Sequence, residues 1–199
     1  MSNSQDLKDP IRDEILTGAR ELFERFGFKK TTMEDIARQI GKSKSALYYY
    51  YKTKEEIFEA VVLNEIATSQ AKTAEVVKTE VSATKKFRVL FTYSLQEVKE
   101  KANKFSIFKS DMYENHFMFE NIVKKRDSYI EEMLKDILIL GISQQEVKMM
   151  NNAEMTLWAK MVNLMLRSIS NKIFLEDEFH LYSTQFEFMA DALFNGVAV

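Results

Sequence analysis

Residues Thr31–Lys54, TTMEDIARQIGKSKSALYYYYKTK, hold three helix starts in quick succession. Thr32 is an N-cap before Ile36, Ala37 and Ile40, with Asp35 in the capping-box position, and Gly41 then stops the helix. Ser43 caps a second short helix running from Lys44 to about Tyr50. Thr53 with Glu56 forms another capping box for a third. Two short helices joined by a turn containing Gly are the outline of a helix-turn-helix.

The second short helix has the chemistry that such a motif needs. At about 100° per residue, Ala46, Leu47 and Tyr51 share one face, small and apolar enough to pack on the preceding helix. Lys44, Ser45, Tyr48 and Tyr49 share the other. A cation, a hydroxyl and two phenolic rings suit base edges and phosphate oxygens in a major groove. Between Lys29 and Lys54 stand seven basic residues (Lys29, Lys30, Arg38, Lys42, Lys44, Lys52, Lys54) and two acidic ones (Glu34, Asp35). That local positive surplus sits in a chain whose net charge is −2, the footprint of phosphate binding. A solvated charged surface is the plainer reading of a charge run, but here the run lies on capped helices.

The run from Ile15 to Leu63 also resembles the DNA-binding domain of the TetR family of bacterial transcriptional regulators. The resemblance rests on Ala19-Arg20-Glu21-Leu22-Phe23, Phe26-Gly27-Phe28, Thr31-Thr32, Asp35-Ile36-Ala37, Gly41, Ser43, Leu47-Tyr48 and Lys52-Thr53-Lys54-Glu55-Glu56. It covers about the first third of the chain. The sequence departs from the family pattern at Lys42, usually apolar; at Ser45, often Gly; at Tyr50, usually His; and at Tyr51, usually Phe. These departures bear on operator preference rather than on the fold.

Composition agrees with a helical protein. Of 199 residues, 46% are hydrophobic, enough for a real core, while one Pro and five Gly leave little turn chemistry for a β-rich fold. There is no Cys, so no disulfide framework, which fits a reducing cytoplasm. The start, MSNSQDLKDP, lacks an apolar signal core, and no uninterrupted apolar stretch reaches about 18 residues. The expectation is a soluble, cytoplasmic protein without membrane contact.

In chain order, Asp9 caps a first helix with Pro10 in its first turn, carrying Ile15, Ala19, Leu22, Phe23 and Phe26 on one stripe and ending at Gly27. The Thr53 helix carries Ile57, Phe58, Val61, Val62 and Ile66 and continues to about Val77. Lys54 in its first turn points to a phosphate by charge and by helix dipole. A further helix spans Ala83 to Lys101, with Phe87, Leu90, Phe91, Leu95 and Val98 at helical spacing. Phe105–Phe119 follows, in which seven of fifteen residues are Phe, Tyr or Met. A long helix then runs from about Phe119 to Leu140, closed by Gly141. Two last helices carry the stripes Met155, Trp158, Val162, Met165, Ile169, Ile173 and Phe179, Tyr182, Phe186, Met189, Leu193, Val197. Leu157, Met161, Leu164 and Leu166, and Leu181, Phe188 and Phe194, lie off those stripes. Helices apolar on more than one face are buried on more than one side.

The resulting fold class is all-α: an N-terminal three-helix helix-turn-helix domain over 9–53, then a larger helical effector-binding and dimerisation domain over 54–199. Within the head, Thr32, Tyr48, Tyr50 and Lys54 are the phosphate candidates, and Lys44, Ser45 and Tyr49 face bases. Ser43 opens the inserted helix, Lys42 stands between phosphate and solvent, and Tyr51 belongs to the core. The resemblance implies an effector cavity among the middle helices, for which Phe105, Phe108, Met112, Tyr113, His116, Phe117 and Trp158 are candidates against ordinary core packing. It also implies that the two C-terminal helices pair with those of a second subunit. Met155, Val162, Met165, Ile169, Tyr182, Phe186, Met189 and Leu193 are the interface candidates.

Catalysis finds no constellation. The two His, His116 and His180, lie in no paired-ligand spacing, and neither a glycine-rich phosphate loop nor a nucleophile elbow is present. No metal or other cofactor is expected. Two readings remain. One is a homodimeric, ligand-responsive regulator, a repressor that binds a palindromic DNA operator and is released by a small hydrophobic effector. The other is a helical small-molecule binding protein whose head has lost DNA binding.

Overall fold

The computed structural model describes residues 9–104 and 116–199, and gives the backbone alone for 104, 116–123 and 125. These residues are helical apart from turns and one isolated antiparallel bridge, Val147 to Ala198. The all-α expectation is met. The helices are α1 Pro10–Phe26, α2 Met33–Gln39, α3 Lys44–Tyr50, α4 Lys54–Lys78 and α5 Ala83–Lys104. They continue with α6 His116–Ser143, α7 Asn152–Glu176, the short α8 Phe179–Tyr182, a 3-10 turn Ser183–Gln185 and α9 Phe186–Asn195. The described residues form two compact units, one reaching Ile66 and the other containing Ala67–Lys104 and Val123–Val199.

The first unit, the head, is built from local signals. Asp9 accepts from the Ile11 N–H at 3.0 Å with Pro10 beside it, which starts α1. Thr32 and Asp35 satisfy each other's backbone N–H groups, at 3.2 and 3.1 Å, in a reciprocal capping box for α2. Gly41 follows α2 in the left-handed region, φ 64°, and ends it. Its N–H reaches the Arg38 carbonyl at 3.2 Å and the Lys42 N–H reaches the Ala37 carbonyl at 2.9 Å, the pair of bonds that closes a Schellman turn. Ser43 Oγ accepts from the Ala46 N–H at 3.2 Å and opens α3. At α4, Thr53 Oγ1 accepts from the Glu56 N–H at 3.1 Å, but Glu56 reaches back one residue further than a capping box requires, to the Lys52 N–H at 2.7 Å.

The three-helix core of the head closes on α4. Ile15, Ala19 and Phe23 of α1, Ile36 of α2, Leu47 of α3, and Ile57, Phe58 and Val61 of α4 are buried together. Phe23, Phe28 and Phe58 form its aromatic centre, with ring centroids 4.8–5.8 Å apart. Each such ring contributes about 1.5–3 kcal/mol by leaving water. The compact unit that holds the head takes in the first turns of α4 up to Ile66. Phe26, expected on the buried stripe of α1, is instead exposed, with Arg25 stacked over its ring at 5.0 Å. Phe28, beyond the helix end, takes the core position.

In the second unit α5 is the central helix, packed against α7 and α9. Phe87, Leu90, Phe91 and Leu95 are buried to 0–1% exposure, and the Phe87 ring lies 5.2 Å from Trp158 and 5.3 Å from Phe194. The segment after α6 caps the start of α5: Gln144 Oε1 accepts from the Ala83 N–H at 3.1 Å, and Glu146 Oε2 from the Thr84 N–H at 2.9 Å. Arg88 grips Asp191 of α9 through a bidentate bridge, Nε donating to Oδ1 at 2.9 Å and Nη2 to Oδ2 at 3.0 Å.

Two sequence expectations need correction here. Gly141 does not close α6, which runs on to Ser143. It allows a close approach instead, since a Cβ there would meet Val147 Cγ2 at 2.5 Å and Ala83 Cβ at 3.0 Å. The last apolar run is not one helix but α8 and α9 with the 3-10 turn between. That break shifts the phase, so Phe186, Ala190 and Phe194 are the buried stripe of α9, where continuous spacing selects Met189 and Leu193.

Candidate nucleic-acid interface

α3 is divided as its sequence dictates. Leu47 is fully buried and Tyr51 nearly so, while Lys44, Ser45, Tyr48 and Tyr49 are exposed. Tyr49 is 78% exposed. Its ring stands edge-on to Tyr50 at 5.2 Å. Lys52 Nζ donates to the Tyr48 carbonyl at 2.8 Å and satisfies the C-terminal end of α3.

Several candidate contacts already have partners within the head. Lys44 is ion-paired with Glu34 of α2, and its ammonium lies 5.7 Å from the centre of the Tyr48 ring. The hydrogen bond between them holds the Glu34 carboxyl below, and the Lys44 ammonium above, their ordinary values. Lys42 faces Glu14 of α1 at 3.5 Å, and Arg38 faces Asp35 at 3.4 Å. Lys54 Nζ donates to the Phe28 carbonyl at 2.8 Å and lies 4.2 Å over the Phe28 ring. An ammonium has three donors, so this bond fixes where Lys54 stands without consuming it. Thr32 Oγ1 hydrogen-bonds Asp35 at 2.6 Å at the exposed start of α2.

The two remaining tyrosines are set by their surroundings. The Tyr50 phenol is pushed above its ordinary pKa by desolvation first and then by the Asp9 carboxylate, which ties it to the cap of α1. Burial does the same to Tyr51, partly offset by Arg12, whose guanidinium lies 5.4 Å over that ring. Tyr51 is thus a core residue, as its face on the helix implies. Glu14 and Glu34 were not legible as parts of this surface. They lie 28 and 10 residues from their partners, and no local spacing rule spans that distance.

Of the other expected residues, Phe105, Phe108, Met112 and Tyr113 lie outside the described residues, as do the side chains of His116 and Phe117. Trp158 is packed against Phe87 and Phe194. Among the interface candidates, Val162, Ile169 and Phe186 are buried in the chain's own core, on the face that α5 fills. Met155, Tyr182, Met189 and Leu193 pack partly against the same core. Met165 is exposed, and with it the off-stripe residues Leu157, Met161 and Leu164 of α7 and Leu181 and Phe188 of α8 and α9. Among the described residues no three acidic, His or Cys side chains are placed to hold a metal, and no helix is long and apolar enough to cross a membrane.

Residues 15–61 match the sequence model for bacterial regulatory proteins of the tetR family. The biofilm operon icaADBC HTH-type negative transcriptional regulator IcaR of Staphylococcus epidermidis is 39% identical over 54 residues, 27% of this chain and 29% of that protein. The match spans about a third or less of the length of this and similarly matched curated relatives. A transcriptional regulator from Cytophaga hutchinsonii shares the fold over 96% of this chain and all of that one, with a TM-score of 0.78 at 21% identity. A structure described as a SmeT–triclosan complex matches with a TM-score of 0.69 at 17% identity, over 96% and 93% of the two chains. The head is accordingly a helix-turn-helix domain of TetR type, and the fold of the known regulators extends over the rest of the chain.

Proposed function

We propose that this chain, whose head is a TetR-type domain, is a ligand-responsive transcriptional regulator that binds a palindromic DNA operator as a homodimer and acts as a repressor. The observation that carries the reading is the two-sided α3. Leu47 anchors it in a core shared by all the head helices, while Ser45, Tyr48 and Tyr49 project outward together. Such a helix presents a fixed set of side chains to a groove, which phosphate attraction alone does not require. The role is regulatory rather than enzymatic, as for the matched relatives, and no cofactor enters it.

The second unit supports the two remaining parts of the proposal. Leu157, Met161, Leu164, Leu181 and Phe188 leave an apolar surface on the C-terminal helices that a second copy would cover in an isologous contact. A small hydrophobic effector would bind in this unit and favour one of two packings, which is the only way a ligand can shift an equilibrium. A structural neighbour described as a complex with triclosan supports this reading of the effector.

The test is selection of bound sequences from a random duplex pool with purified protein, repeated with Tyr49→Ala. Recovery of an inverted repeat that weakens or relaxes in the variant supports a dimeric sequence reader with Tyr49 at a base. Absence of enrichment at low salt would favour a binding protein with a head no longer used on DNA. An effector that binds yet leaves operator affinity unchanged would overturn the ligand-responsive part.

A further inference from the structure

Three of the seven basic residues between Lys29 and Lys54 have a carboxylate partner before any nucleic acid arrives. Lys44 is paired with Glu34, Lys42 with Glu14, and Arg38 with Asp35. The Lys44–Glu34 pair differs from the other two in its place. Lys44 opens α3 beside the exposed Tyr48, and both members of the pair are about half exposed, at 51% and 50% of their side-chain surface. A duplex laid on α3 therefore meets a carboxylate together with the cation.

We propose that Glu34 is a specificity-determining residue of the head, an internal counter-anion that withholds Lys44 from phosphates and releases it only where the DNA offers a better match. This rests on the DNA-binding reading of the head. Non-specific affinity comes from cations that trade small counterions for phosphates. Lys44 has a tethered carboxylate as its counterion, so it contributes little to that trade. The same pair presents a donor beside an acceptor. That pattern complements guanine O6 and N7 next to the cytosine N4 amine, and a phosphate offers no equivalent. Glu34 thus lowers binding to arbitrary sequence more than binding to the operator, which widens the ratio between them.

The experiment compares full-length wild type, Glu34→Gln, Lys44→Met and the double variant by fluorescence anisotropy. Each is titrated onto the selected operator and onto a scrambled duplex, from about 50 to about 200 mM KCl. Glu34 is exposed, and thermal melts check that each variant is folded. Glu34→Gln is expected to bind scrambled duplex up to about fivefold more tightly per head, the magnitude of an exposed ion pair. Its salt slope should steepen by about 0.9 per head as one more cation meets phosphate. Operator affinity should rise less, so the specificity ratio falls. Both gains should vanish when Lys44→Met is added.

An unchanged ratio, an equal gain on both duplexes, or a gain that survives in the Lys44→Met background would overturn the role given to Glu34. If neither wild type nor Glu34→Gln binds any duplex at low salt, the DNA-binding reading itself fails, an outcome distinct from wild-type binding that Glu34→Gln leaves unaltered.

Discussion

At the scale of single residues, the most consequential side chains of the head are short polar ones that stop the backbone from unwinding. Thr32 Oγ1 and the Asp35 carboxylate occupy donors that would otherwise be orphaned at the start of α2. Replacing Thr32 with Ala should lower unfolding stability by about 1 kcal/mol, read from the midpoint of a urea titration at unchanged slope. Asp35 adds a pH dependence. Its carboxyl lies below the ordinary value because it accepts from the Thr32 hydroxyl, then from the Thr32 N–H, with Arg38 nearby. A group depressed in the folded state stabilises above its unfolded pKa and loses that contribution as pH falls through the folded one. Wild type should therefore lose more stability than Asp35→Asn between about pH 5 and about pH 3. Parallel losses in the two proteins would show that Asp35 contributes nothing to this window. These local features were readable in advance because a cap and its partner lie within three or four residues. The pairing of Lys42 with Glu14 was not, since it exists only once α1 has folded back against the turn before α3.

At the scale of elements, the same contrast separates helix starts from helix ends and faces. The starts of α2, α3 and α4 follow from Thr32, Ser43 and Thr53, and the buried face of α5 follows from Phe87, Leu90, Phe91 and Leu95 at helical spacing. Gly141 was misread because glycine serves two physical purposes, a left-handed stop and a site of close approach, and sequence does not say which. Gly41 is the first kind, with φ 64° and open space around it. Gly141 is the second, and substitution tests the distinction. On helix propensity alone, Gly141→Ala should stabilise α6 by about 1 kcal/mol. The added methyl would instead lie 2.5 Å from Val147 Cγ2 and 3.0 Å from Ala83 Cβ, and overpacking a tight site costs about 1–3 kcal/mol. The expected outcome is net destabilisation, with Gly141→Ala relieved in part by Val147→Ala. A more stable Gly141→Ala protein would mean that the loop carrying Val147 yields easily and that the close approach is incidental.

At the scale of the whole molecule, the question is what covers the C-terminal helices. Spacing alone did not separate the buried from the exposed residues of these helices, for two physical reasons. α5 supplies enough apolar surface to bury Val162, Leu166, Ile169 and Ile173 within the subunit, and the 3-10 turn at Ser183–Gln185 rotates the residues after it. The apolar surplus then falls on residues off the stripes, among them Met161 at 60% and Phe188 at 69% exposure. Leu157, Met161 and Leu164 follow one another a turn apart along α7, and Leu181 and Phe188 are exposed on α8 and α9. Placing a charge on each of α7 and α9 separates packing within the subunit from packing between copies. Met161→Glu with Phe188→Glu should leave helix content and the midpoint of monomer unfolding nearly unchanged, because neither side chain is in the core. It should shift sedimentation from a dimer of about twice the 23.3 kDa chain mass to a monomer. The monomer should also lose affinity for an inverted repeat far more than for a single half-site, since the gain from two tethered heads is one of effective concentration. Retention of the dimer in the double variant would place the interface elsewhere, while Val162→Glu, buried at 1% exposure, should unfold the subunit rather than merely divide the pair.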